Sequence, residues 1–330
     1  MALASIQKIH SIAPHPDPEV SRLQVAKIFE WPVVVEKDKH KEGELVVFIE
    51  IDSIVPERPE FEFMRSRKFR IYNAKFKNAP SSGLVMPLSI LPEGNWKEGD
   101  DVVEVLGVRK YERPVDPQMS GDAEGDFPRQ LISISDETNL LGCRQGTLDE
   151  LEGREIYISA KNDGSSTTFI HNKGEFQACS RRLLMKEGSG FPWQVATKYN
   201  LKERMATLGR NLAIQAECCG PKLNGNSMEL KEMQLFLFRA KCLDTRQILG
   251  LDEMIEIANA LGVPHVKIIS RFVFDKSVHT AEYFRSVADA QVWDSNGKPA
   301  EGIVIAPTTP FFSPKLQKEW STKVINQIYK

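Results

Sequence analysis

The sequence predicts an α+β protein in two parts, a small β-barrel followed by a larger mixed unit, and three observations predict it. Apolar runs of strand length recur from Leu23 to Val108 with few helical stretches between them. Arg113–Pro128 then holds three prolines, two glycines and four acidic residues with almost no apolar content, the composition of a linker. Beyond it, period-2 and period-3.6 apolar patterns alternate. The 330 residues suit two domains of ordinary size, and the boundary is read as 1–122 for the barrel and 123–330 for the mixed unit.

In the first part the runs are Leu23–Phe29, Val33–Val35, Glu44–Val55, Gly83–Ile90 and Asp101–Val108, separated by Pro, Gly and charged turns. Five or so short strands of this kind suggest an OB-like barrel, and an SH3-like barrel would read much the same. Between two of them, Met64–Gly83 interleaves Arg65, Arg67, Lys68, Arg70, Lys75 and Lys77 with Phe69, Tyr72 and Phe76. Cations beside aromatic faces suit a phosphate backbone and splayed bases, whereas the plainer reading is a solvated strand face with its aromatics turned inward.

The second part centres on Ile156–Thr167. Ile156, Ile158 and Ala160 alternate with Tyr157 and Ser159, so Lys161 stands where a half-buried strand runs into an Asp163-Gly164 turn. Thr167–Ile170 and Glu175–Ser180 flank His171-Asn172-Lys173-Gly174, a hairpin signal whose Asn and Gly tolerate positive φ. Pro192 sits at a first helical position, with Val195, Tyr199, Lys202 and Met205–Leu208 following at helical spacing. Leu251, Met254, Ile255, Ala258 and Leu261 form a second stripe closed by Gly262 and Pro264, and Thr280–Ala290 is a third helix. Leu212–Gly220, Met233–Leu243, His265–Phe274 and Glu301–Pro307 are strands between them.

Composition narrows the function classes. A formal charge of −2 argues against a protein that coats nucleic acid by bulk charge, and 41% apolar with 27% charged residues is ordinary for a globular chain. No apolar run approaches the ~20 residues of a membrane span, and no basic leader precedes an apolar stretch, so the chain is expected in the cytoplasm, as a monomer, without a membrane partner. Five scattered cysteines contain no C-x-x-C pair and are expected as buried, reduced thiols.

K-x-D-G alone is also an ordinary surface hairpin. Downstream of it, however, come Ser180-Arg181-Arg182, Ala216–Asn226 (AECCGPKLNGN), Phe236–Ala240 (FLFRA), Glu301–Ile305 (EGIVI) and a final STKVINQIYK containing Lys323. In this order they resemble the motifs of the covalent nucleotidyltransferases, the superfamily of RNA ligases, DNA ligases and messenger RNA capping enzymes. The resemblance covers about 200 residues and implies a ligase-type nucleotidyltransferase domain behind the OB-like barrel.

By that resemblance Lys161 attacks the α-phosphorus of ATP, expels pyrophosphate and holds AMP through a P–N bond. Lys323 and Arg181 neutralise phosphate charge, with Arg182 competing for the same task, since strand alternation would leave only one of the two arginines facing the nucleotide. Asp163 and Glu301 hold Mg²⁺ or Mn²⁺, in part through waters. Glu217 accepts a ribose hydroxyl, and Phe238, in preference to Phe236, stacks on adenine; the plainer readings are a solvated carboxylate and an aromatic pair in the core. Two departures matter. Ser321 stands where many relatives have a basic residue, leaving Lys318 or Lys315 to supply charge, and Asn139 follows Ser135-Asp136-Glu137-Thr138 where an arginine is common.

Seven residues follow Lys323, too few for the OB domain that DNA ligases and capping enzymes carry after it. The barrel in front resembles RNA ligases with an N-terminal OB domain. The resemblance therefore implies an ATP-dependent RNA ligase that joins 3′-OH RNA ends to 5′-phosphate ends, at nicks in RNA or RNA/DNA duplexes. A non-catalytic RNA binder, a DNA ligase and a capping-type enzyme are the alternatives.

Overall fold

The computed structural model describes residues 2–29, 31–77, 79–111, 121–143 and 146–329. The chain divides into two compact units, 1–114 with 141–145, and 115–140 with 146–330. Residues 113–120 of the expected linker lie outside the described residues. Ala123–Asp126, read from sequence as linker, is instead an edge strand of the second unit paired with Leu183–Met185.

The first unit is built from short antiparallel sheets. Leu45–Ile49 lies between Ala4–Lys8 and Leu84–Pro87, and Leu23–Ile28 between Ser11–Pro14 and Trp31–Glu36. Ser53–Ile54 pairs with Arg70–Ile71 and Arg109–Lys110. Ile6, Val47, Ile49, Phe61, Phe69, Ile71, Val102 and Leu106 fill one core, which explains the apolar punctuation of the sequence.

Two large sheets dominate the second unit, beside the short pair Phe312–Ser313 and Lys318–Glu319. One has six strands in the order Ala123–Asp126, Leu183–Met185, Glu175–Cys179, Ser165–Asn172, Leu212–Cys219, Gln234–Cys242. The other has five, in the order Thr138–Asn139, Thr322–Ile325, Gly302–Pro307, Glu155–Lys161, Ile268–Val273. Strand alternation sorts the side chains: Ile156 and Ile158 pack with Ile303, Ile305 and Val324, while Leu212, Ile214 and Ala216 pack with Leu235, Leu237 and Ala240. All five cysteines are buried and none is in a disulfide, and no helix among the described residues is long and apolar enough to cross a membrane.

Three local readings are corrected. The hairpin after Asn172 turns on Lys173 and Gly174, both at positive φ (52° and 85°), with the Lys173 N–H donating to Asn211 Oδ1 at 2.8 Å. The single helix expected after Pro192 is two, Gly190–Lys198 and Leu201–Thr207, because Asn200 adopts φ 52° and ends the first run. In Leu251–Leu261 the buried stripe uses Ile257 where Ile255 was expected, and Gly262 at φ 62° closes it as read. The third helix spans Ala281–Asp289, and Thr280 caps it by accepting from the Tyr283 N–H.

Candidate active site

The chain leaves the five-stranded sheet at Lys161 and enters the six-stranded sheet at Ser165, so Asn162-Asp163-Gly164 is the crossing between them. Lys161 pairs in register with Gly302, which places the following strand's Glu301 beside it. Lys161 Nζ lies 2.7 Å from Glu301 Oε1. Burial works against the ammonium, but Glu301, Glu217 and Asp163 outweigh it and hold the lysine above its ordinary range. The expected nucleophile therefore rests as a paired cation.

Glu217 lies one strand away, opposite Ser166 and Phe236. The strand runs on to Cys219, so Glu217 does not end it in solvent. Its Oε1 accepts from the Gly164 N–H at 3.1 Å. Gly164 has to be glycine because a Cβ there would press on the Cys218 backbone and the Cys219 sulfur. Burial pushes the Glu217 carboxyl up to about 7, with Lys161 opposing the shift and Glu301 adding to it.

A sign follows from that shift. A folded pKa above the unfolded value of 4.5 means that the group's stabilising contribution is complete below about 4.5 and is lost as pH rises through about 7. Glu217→Gln, which keeps the acceptor for Gly164 without a charge to bury, is expected to melt above the wild type near pH ~8, by on the order of 3 kcal/mol, with the gap closing toward pH ~5. Thermal melts across that range check it; a gap that does not change with pH contradicts it.

Asp163 is buried, and its carboxylate accepts from Asn224 Nδ2, Ser227 Oγ (3.2 Å) and the Tyr329 hydroxyl. Glu301 keeps a buried second oxygen, Oε2, with no hydrogen-bond partner. Among the described residues no three His, Cys, Asp or Glu side chains gather as a ready-made metal cage. An orphaned carboxylate oxygen at the mouth of an acidic cluster fits a hard divalent ion that retains most of its waters.

Arg181 and Arg182 are not on a strand. They form the bend between Glu175–Cys179 and Leu183–Met185, so alternation does not choose between them. Arg181 is half-exposed with Nη2 3.5 Å from Asp136 Oδ2, and Lys323 Nζ is 3.9 Å from Asp136 Oδ1. One carboxylate thus gathers the two cations assigned to phosphate. Phe236 and Phe238 are both half-buried on the side away from Leu235, Leu237 and Ala240, so neither belongs to the core. A register slip opposite Gln215 and Ala216 leaves Phe238 as the extra residue and brings Arg239 opposite Gln215.

Sequence reasoning missed what that slip builds. Arg239 donates to Gln215 Oε1 at 3.3 Å and to Glu137 Oε1 at 2.6 Å, and Lys318 Nζ is 3.2 Å from Glu137 Oε2. Burial would raise the Glu137 pKa, but Arg239, Lys318 and the Ser321 hydroxyl bring it down to about 2. Lys318 is thereby committed to Glu137, and Ser321, read as a missing cation, is a hydroxyl donor to the same carboxylate. The available signal was an arginine in the middle of the apolar run FLFRAKC.

In the first unit the basic stretch is not one continuous strand face, and its cations are not uniformly free. Arg65 and Arg67 end the 3₁₀ turn Pro59–Arg67, and Lys68 follows at φ 51°. Arg65 pairs with Glu62 at 2.6 Å and Glu57 at 3.4 Å, and Arg70 with Asp52 at 3.2 Å. Arg67 lies over Tyr72 and Phe76, and Arg70 is 3.5 Å from the centre of the Tyr111 ring. Lys75 lies on Ala74–Phe76, and Lys77 follows at φ 46°. Phe69 is buried and Tyr72 exposed, so the aromatics split between core and surface.

Comparisons with known proteins agree with this arrangement. An RNA ligase family model matches residues 154–325, and an OB-fold domain model matches residues 3–88. Among solved structures, Naegleria gruberi RNA ligase with pyrophosphate is 28% identical, with TM-score 0.84 over 100% of this chain and 98% of that one. A variant of it with ATP and Mn gives TM-score 0.85 at 28% identity over 99% and 98% of the two chains. A further variant, with AMP and Mn, gives 0.85 at 28% identity over 100% and 98%. Among curated proteins no sequence matches. The family model spans more than half of the chain and contains Lys161, Glu217, Glu301 and Lys323: this chain belongs to the RNA ligase family.

Proposed function

We propose that the protein is an ATP-dependent RNA ligase that forms a lysyl-AMP at Lys161 and seals 3′-OH RNA ends to 5′-phosphate ends at nicks in duplexes. The observation that carries this reading is the meeting of Lys161, Glu301 and Glu217 around the 162–164 crossing, from three separate segments of the chain. Similarity to RNA ligase structures holding ATP, AMP, Mn and pyrophosphate supports the same substrate and products here.

In the first step Lys161 Nζ, having lost a proton, forms a bond to the α-phosphorus as the bond to pyrophosphate breaks. Arg181 and Lys323 are the cations placed to take up phosphate charge when they exchange Asp136 for the triphosphate. Glu217 offers the ribose an acceptor, and Phe238 or Phe236 offers adenine an aromatic face. Glu301 and Asp163 would hold Mg²⁺ or Mn²⁺, which offsets negative charge on the phosphates. In the second step AMP passes to the 5′-phosphate, and in the third the 3′-OH attacks that phosphate and AMP leaves. The half-buried Arg67 with the exposed Tyr72 and Lys75 supplies cation and ring for the nucleic-acid strand.

The test is incubation with α-labelled ATP and a divalent metal, followed by nicked duplexes that differ only in the sugar at the 3′-OH end. Label on the wild type, none on Lys161→Ala, and sealing that requires a ribose 3′ end are expected. Absence of label points to a non-catalytic RNA binder, equal sealing of DNA ends to a DNA ligase, and preference for GTP to a capping-type enzyme.

A further inference from the structure

The Asp163 carboxylate is held by side chains that come from none of the neighbouring catalytic strands. Asn224 and Ser227 lie on the loop after Leu212–Cys219, and Tyr329 follows the strand Thr322–Ile325. Two of the three donors are themselves fixed. Ser227 presents its carbonyl to Asn296 Nδ2 at 3.0 Å, and the next residue, Met228, presents its own to Ser295 Oγ at 2.5 Å. Tyr329 sits in a turn organised by the buried Asn326. The Tyr329 N–H donates to the Asn326 carbonyl at 3.2 Å, and the Asn326 N–H donates to the Glu301 carbonyl at 2.9 Å. The Tyr329 ring meets Trp293 edge-on, with centroids 6.4 Å apart.

We infer that Tyr329, with Asn224 and Ser227, is a positioning residue that clasps Asp163, fixing the 162–164 crossing so that Asp163 and Glu301 face one divalent ion together. The same turn that delivers the Tyr329 hydroxyl to Asp163 is anchored on the Glu301 backbone, so the two carboxylates are tied through one short segment. On the opposite side the crossing is held by the bond from the Gly164 N–H to Glu217. Neutral donors hold a buried carboxylate in one orientation and add no positive charge beside a metal.

The inference rests on the adenylylating reading above, and its test separates the two. Binding of Mn²⁺ to the full chain is measured by the loss of free Mn²⁺ signal in electron paramagnetic resonance, with a non-hydrolysable ATP analogue present. Tyr329→Phe keeps the ring and removes the hydroxyl, and is expected to weaken Mn²⁺ binding about tenfold. Ser227→Ala is a second variant, expected to act in the same direction should Tyr329→Phe fail to fold. In an Asp163→Asn background Tyr329→Phe is expected to add nothing further, since the two act as one unit. Unchanged Mn²⁺ affinity in folded Tyr329→Phe and Ser227→Ala, or full additivity with Asp163→Asn, overturns the clasp. A wild type that takes up neither label nor Mn²⁺ overturns the adenylylating reading itself.

Discussion

Lys161→Arg is expected to keep the fold and lose the enzyme adenylate entirely. Arginine preserves the positive charge that Glu301 meets at 2.7 Å, so the acidic cluster of Glu301, Glu217 and Asp163 remains compensated. It has no accessible neutral form at working pH, however, and so cannot present a lone pair to phosphorus. Labelling with α-labelled ATP is expected to fall by at least ~10⁴-fold, while the melting temperature stays near that of the wild type. Sealing of a nick whose 5′ end already carries AMP should survive, because the last step makes no bond to this side chain. A labelled Lys161→Arg protein would place the nucleophile elsewhere. A variant that unfolds would mean that the pairing needs the compact ammonium and not merely its charge.

Glu137→Met carries the largest expected cost in stability. The replaced carboxylate compensates Arg239 at 2.6 Å and Lys318 at 3.2 Å and accepts from Ser321, and its depressed pKa expresses how strongly those partners favour the charged form. Removing it strands two half-buried cations, a change worth about 3–5 kcal/mol. The exposed pair of Arg65 and Glu62 is the contrast: Glu62→Ala is expected to leave the melting temperature nearly unchanged, since water screens both partners. Acid titration gives a second readout. A folded pKa depressed to about 2 contributes stability above 4.5 that is lost as pH falls from there toward about 2, and the variant is expected to lose that dependence. Equal melting of Glu137→Met and wild type would contradict this account.

What the sequence disclosed, and what it withheld, follows from the range of the interactions. Lys161 at a strand end was legible because Ile156, Ile158 and Ala160 announce the strand, and Asp163-Gly164 announces its stop. The helix ending at Leu261 was legible because Gly262 and Pro264 close it locally. Arg181 and Arg182 were misassigned because nothing local distinguishes a bend between two short strands from a continued strand. Glu137, Arg239 and Lys318 lie 79 to 181 positions apart, since 318 − 239 is 79 and 318 − 137 is 181, and no period in the sequence joins them. The basic stretch misled for the opposite reason: Glu62 and Glu57 lie only three and eight positions before Arg65, but pattern reading weighed the cations without them.

The parallel pairing of Thr138–Asn139 with Thr322–Lys323 sets an order on biosynthesis. A segment that precedes the nucleophile has to wait for a strand translated more than 180 residues later before its ladder can close. During synthesis the nascent chain therefore carries Lys161 and Glu217 before the strand that brings Lys323 near Asp136. Such long-range closure also slows the folding of the second unit.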